Sequence, residues 1–151
     1  MIEMDEKTCS SKAIQVWRLY VDLWKLWYKK AERDLNGVNL SVTEFTIMRQ
    51  LSENGPLSMA TIASSINVTP GWVTGVIDKM EDKGLVVRKR EEADRRIIKI
   101  SLTDHGKEVY EEAKKKHFSF IEKSLSGLND SDLDMAYKIL SKMIASINAL
   151  E

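Results

Sequence analysis

The stretch IASSINVTPGWVTGVIDKM, residues 62–80, decides the fold. Ala63 is small where two helices must cross closely. Asn67, four residues on, falls at the turn between them, where the backbone often needs φ > 0; Asn tolerates that better than most residues with a side chain. Val73, six further, points back into the joint. Thr69 and Pro70 open the second helix, threonine as N-cap and proline at the first helical position, where its missing N–H costs nothing. Such a start presents the helix N-terminus outward, as a recognition helix is presented to the major groove. The pattern predicts a helix-turn-helix with Ile62, Ala63, Ile66, Val68, Val73, Val76 and Ile77 as its apolar positions and Ser58 capping its first helix. That geometry also occurs in proteins that bind no DNA.

Downstream, Gly84 suits the left-handed cap that ends a helix. VVRKR (residues 86–90) and RIIKISL (residues 96–102) then read as two strands around a charged tip, with Ile98, Ile100 and Leu102 alternating on one face. The pair reads as a wing. Formal net charge is zero over the whole chain, yet residues 83–99 carry seven basic side chains against three acidic ones. A net +4 in 17 residues is the kind of footprint phosphates attract, and equally the signature of a solvated charged hairpin.

Upstream, Ser41 or Thr43 caps a helix over 41–54 with Phe45, Ile47, Met48 and Leu51 as its apolar residues. Asn36-Gly37, Gly55-Pro56 and Leu128-Asn129-Asp130 mark further boundaries. A helix over about 11–36 places Ile14, Trp17, Val21, Trp24, Tyr28, Ala31 and Leu35 on one face, and Val16, Leu19, Leu23 and Trp27 on a second stripe. Helices over about 103–126, capped by Thr103, and about 131–150 carry similar stripes. Part of this apolar surface is intramolecular core. Helices this apolar at both ends of a chain are also what a self-complementary dimer interface would bury.

The single cysteine, Cys9, excludes an internal disulfide framework and fits a reducing, cytoplasmic setting. The opening MIEMDEKTCSSK is polar and acidic, unlike a secretory signal, and no run approaches the ~20 apolar residues of a membrane span. The two histidines, His105 and His117, have no metal-spaced partners and no evident nucleophile or orienting carboxylate, so an enzyme is not expected. No cofactor is expected either.

The run over residues 67–106 resembles the MarR family of winged-helix transcription factors. The match rests on VTGVIDKMEDKGLV (residues 73–86), on the wing-tip Asp94, Arg95 and Arg96, and on the LT-x-x-G formed by Leu102, Thr103 and Gly106. The resemblance extends over the whole chain, since family members place an N-terminal helix and two C-terminal helices around the winged domain as a dimer interface. It implies that Asp94 orients the wing and Arg96 enters the minor groove, where A·T-rich sequence concentrates negative potential. It implies Thr69, Gly71, Trp72, Thr74 and Gly75 as the major-groove set. At Gly75, where relatives often carry Arg, the commonest bidentate guanine contact is missing. Specificity then leans on Thr74 and on Trp72, whose ring either meets thymine methyls or packs against its own domain. Ser41, Thr43, Ser58, Lys79, Arg88 and Arg90 are the expected phosphate contacts.

Many relatives are repressors released by small phenolic or lipophilic ligands bound between the dimer helices and the winged domain. Trp17, Tyr20, Trp24, Trp27 and Tyr28 are candidates to line such a pocket, or else interface core. Cys9 lies too early to match the peroxide-sensing cysteine of other relatives. The expected fold is mainly α with a small β-hairpin wing (α+β). Its expected organisation is a flexible tail at 1–10, helical dimerisation segments at 11–36 and 103–151, and a winged helix-turn-helix at 37–102. The expected protein is a homodimeric, sequence-specific repressor of the cytoplasm and nucleoid, with double-stranded DNA bearing a pseudo-palindromic operator as its partner. Its alternative is a winged-helix protein–protein interaction module that binds no DNA.

Overall fold

The computed structural model describes residues 11–150; the tail expected at 1–10, Cys9 included, lies outside them. The element order is α1 (Lys12–Asn36), α2 (Val42–Asn54), β1 (Leu57–Ser58), α3 (Met59–Ser65), α4 (Pro70–Asp82), β2 (Val86–Arg90), β3 (Ile98–Leu102), α5 (Asp104–Ser124) and α6 (Asp130–Asn148). Two compact units result, one ending at His117 and the other beginning at Phe118, so that α5 starts in the first and finishes in the second.

Local chemistry explains most helix starts. Ser11, Ser58 and Thr69 each accept an N–H from three residues downstream. Of the two candidate caps for α2 the structure uses Ser41, which exchanges hydrogen bonds with Glu44 in a capping box. Asn129 and Asp132 repeat that arrangement at α6. Asn67 adopts φ 54° at the α3–α4 turn, where Val68 N–H reaches the Ala63 carbonyl at 3.1 Å. Gly84, at φ 71°, lets the chain reverse after α4, with Leu85 N–H on the Met80 carbonyl at 2.9 Å.

One core joins these parts. Val73, Ile77 and Met80 of α4 meet Ile62 of α3, Met48 and Leu51 of α2, and Ile100 of β3. Leu35 of α1 and Tyr110 and Ala113 of α5 enter the same core, so packing runs past the boundaries expected at 37 and 102.

The sheet is antiparallel with order β1-β3-β2. A two-stranded wing was expected; β1 adds a third strand, pairing Leu57 with Ile100 and Ser58 with Lys99. Two residues are too short to show an alternating pattern, which is why the sequence does not announce it. The wing's second strand begins at Ile98 rather than Arg96, because Ile97 N–H turns back to the Asp94 carbonyl at 2.9 Å.

The LT-x-x-G segment has a packing reason. The Thr103 hydroxyl donates to the Gly84 carbonyl and accepts from Gly106 N–H at 2.9 Å. A Cβ on Gly106 would stand 2.0 Å from the Leu85 carbonyl oxygen. In the second unit, no residue of α6 is buried.

Candidate nucleic-acid interface

α4 turns one arc inward and one outward. Val73, Ile77 and Met80 are buried, while Thr69, Gly71, Trp72, Thr74, Gly75, Asp78 and Lys79 are exposed. At 100° per residue, Gly71 and Gly75 form a bare strip of backbone with Trp72 on one side and Thr74 on the other. A Cβ at either glycine would meet nothing within 4 Å. Trp72 is 48% exposed, so its ring lies outside the buried core with about half of its surface open to solvent. The Thr69 hydroxyl accepts from Trp72 N–H at 3.3 Å, and the Thr74 hydroxyl donates to the Pro70 carbonyl at 3.0 Å.

The wing tip is shaped from within. Asp94 Oδ1 accepts the backbone N–H of Arg96 at 3.0 Å and lies 3.7 Å from its Nε. Arg90 donates to the Arg95 carbonyl at 2.8 Å, clipping the tip from the facing strand. The Arg96 side chain is 95% exposed, so the turn holds its backbone and leaves the guanidinium in solvent.

The six expected phosphate contacts separate. Lys79 is exposed on α4 beside the bare strip, and Arg90 is exposed on the wing. Ser41 and Ser58 are half-buried and spend their hydroxyls on helix caps, and Thr43 is half-buried on the first turn of α2. Arg88 is drawn inward: its guanidinium binds Asp78 at 2.6 Å and also Glu81, and its backbone N–H reaches Glu81 at 3.2 Å. The hydrogen bond to Asp78, with the negative charge of Glu81, holds the Arg88 pKa above its ordinary value despite partial desolvation. Arg88 is therefore a strut between α4 and the wing, its guanidinium engaged by two carboxylates. The signal was present: Asp78 and Glu81 are one turn apart on α4, on a side that β2 can reach.

Sequence reasoning also missed Glu44 and Lys83. Glu44 is the one buried charged residue among the described residues, 5% exposed, and Lys83 reaches it from the end of α4 at 2.8 Å.

Four of the five aromatic residues of α1 form two pairs. Trp17 stacks near Tyr20 at 5.7 Å between centroids, and Trp24 near Tyr28 at 5.3 Å. Trp27 instead meets His117 of α5 edge-on at 5.4 Å, and His117 lies 4.9 Å from Phe45 of α2. Desolvation there, with the charge of Arg49, lowers the His117 pKa. A cleft of about 410 Å³ between α2, β3 and α5 is lined by Leu51, Pro56, Leu102, Lys107 and Tyr110 among others, and by none of the α1 aromatics.

Comparison with known proteins agrees with this architecture. Residues 40–98 match the MarR family model. The uncharacterized HTH-type transcriptional regulator YkoM of Bacillus subtilis is 30% identical over 131 residues, 87% of this chain and 85% of that protein. The HTH-type transcriptional repressor MdtR of the same organism is 32% identical over 97 residues, 64% of this chain and 63% of that protein. Among solved structures, Streptococcus pneumoniae FabT in complex with DNA superimposes with a TM-score of 0.79 at 21% identity, covering 91% of this chain and 98% of that one. By its matched winged segment and its near full-length likeness to YkoM, the chain belongs to the MarR family, whose members are transcriptional regulators and not enzymes.

Proposed function

We propose that this protein is a homodimeric repressor that binds a pseudo-palindromic duplex operator, with α4 in the major groove and Arg96 in the adjacent minor groove. The carrying observation is the wing tip: a guanidinium almost wholly in solvent, on a turn whose backbone is tied down by Asp94 and Arg90. A pre-shaped turn bearing a solvent-exposed cation loses little entropy when it enters a narrow, negative groove. Lys79 and Arg90 supply phosphate contacts that position the protein without reading sequence. FabT, which shares the fold, was crystallised with DNA, and MdtR carries a repressor name.

The dimer reading rests on apolar surface that a single chain leaves in water. Leu19 of α1 is 70% exposed and Tyr137 of α6 is 76% exposed, and each has apolar neighbours along its helix. A second copy of the chain would cover both. The exposed aromatic pairs of α1 are where a small aromatic or lipophilic effector would act on that interface.

Random duplex at ~50 mM salt tests the DNA reading, since phosphate contacts alone give binding that weakens as salt rises. Absence of any shift would favour the protein–protein module instead. Arg96→Ala is expected to lower operator affinity by about tenfold or more with folding and dimerisation intact. Light scattering at micromolar concentration should give twice the 17.3 kDa of one chain.

A further inference from the structure

The first turns of the exposed arc of the recognition helix lack the groups that read guanine, and the nearest ammonium on that arc is Lys79, a turn beyond Gly75. Between Thr69 and Gly75 the arc offers the Pro70 ring, the Trp72 indole, two threonines and two glycines, with no amide, guanidinium or ammonium side chain. The Thr74 hydroxyl gives its proton to the Pro70 carbonyl, and the Thr69 hydroxyl is occupied as the helix cap. Neither threonine can make the bidentate donor pair that distinguishes guanine O6 and N7.

What the arc does offer is apolar, and it has relief. The indole stands beside the Gly71–Gly75 strip. No contact inside the fold requires those glycines, because a Cβ at either would meet nothing. Gly75, inside the helix, costs it about 1 kcal/mol against alanine, a penalty with no return within the chain. A return does exist if another surface must approach the α4 backbone closely. The base edge that presents an apolar group in the major groove is thymine, through its C5 methyl.

We propose that the protein reads its operator chiefly through thymine C5-methyl groups held against the Trp72 ring, with the bare strip at Gly71 and Gly75 letting the helix seat deeply enough for contact. This deepens, and depends on, the reading of α4 as a major-groove element. The operator is then specified by where its thymines lie, and guanines contribute little through their major-groove edges.

The test uses the full-length protein and a duplex selected from a random pool. Replacing thymines one at a time by deoxyuridine removes the methyl group and nothing else. At least one position per half-site should lose about fourfold in affinity, the scale expected for one buried methyl. Trp72→Ala should bind thymine and uracil duplexes alike while keeping its salt-dependent affinity for random DNA, and Trp72→Phe should recover part of the discrimination. Trp72 lies outside the buried core, and thermal melts of both variants check that the fold is kept. Wild-type protein that binds every uracil duplex as tightly as the thymine one overturns the proposal alone. So does a larger loss from 7-deazaguanine than from uracil. No binding to any duplex at ~50 mM salt removes the DNA reading itself, and the proposal with it.

Discussion

The Lys83 ammonium lies 2.8 Å from the Glu44 carboxylate, joining the end of the recognition helix to the first turn of α2. The same ammonium donates to the Asn39 carbonyl at 2.9 Å, and the same carboxylate accepts Ser41 N–H at 2.8 Å. Four residues thus share one buried charge. Lys83→Met should destabilise by about 2 kcal/mol, less than for a fully buried pair because the lysine is still partly wet. Adding Glu44→Gln should recover part of that loss, since the amide oxygen can still accept from Ser41 and no charge is stranded. Denaturant titration at fixed protein concentration measures both.

Glycines of opposite character predict opposite outcomes. Gly106→Ala drives a methyl into the Leu85 carbonyl and should cost about 3 kcal/mol. Gly75→Ala has open space and should stabilise by roughly 0.5–1 kcal/mol. Thermal melts rank them. If the strip serves close approach to DNA, the stabilised Gly75 variant should also bind its operator more weakly.

Arg88 and Lys79 separate strut from phosphate contact. Lys79→Ala should reduce the log–log salt slope of DNA binding by about one and leave the melting temperature unchanged. Arg88→Met strands Asp78 and Glu81 and should lower the melting temperature, with the salt slope kept.

His117 makes stability depend on pH. Burial against Trp27 and Phe45 lowers its pKa below the ordinary 6.5, so the unfolded chain binds a proton more readily than the folded one. Stability from this residue is complete above about 6.5 and declines as pH falls from there toward the lowered folded-state pKa. His117→Phe should flatten that part of the profile, read as melting temperature between pH 7.5 and pH 5 (roughly the span over which histidine titrates).

The helix-turn-helix was legible because its signals are local. Ala63, Asn67, Thr69 and Pro70 each perform a task within a few residues of backbone, and each performs it in the structure. The wing strands were legible from alternation, and β2 runs over the expected residues. What stayed hidden depends on partners distant in sequence. Arg88 looks like any wing cation until β2 is laid beside α4, which brings Asp78 and Glu81 to it. Nothing local to Glu44 points to Lys83, which reaches it from 39 residues further on. Trp72 was undecided because helical period alone puts it at the margin of the buried arc.

The two-residue strand β1 has a mechanical consequence. Ile100 of β3 is held on one edge by Leu57 and on the other by Arg88, so the wing cannot slide or tilt without dragging the entrance to α3 with it. Wing and recognition helix behave as the jaws of a caliper locked at one opening. On the proposed reading, a duplex gripped by both would have to adjust its own groove width and bend to that opening, so stiff and pliant base steps would be sorted even where no side chain touches them.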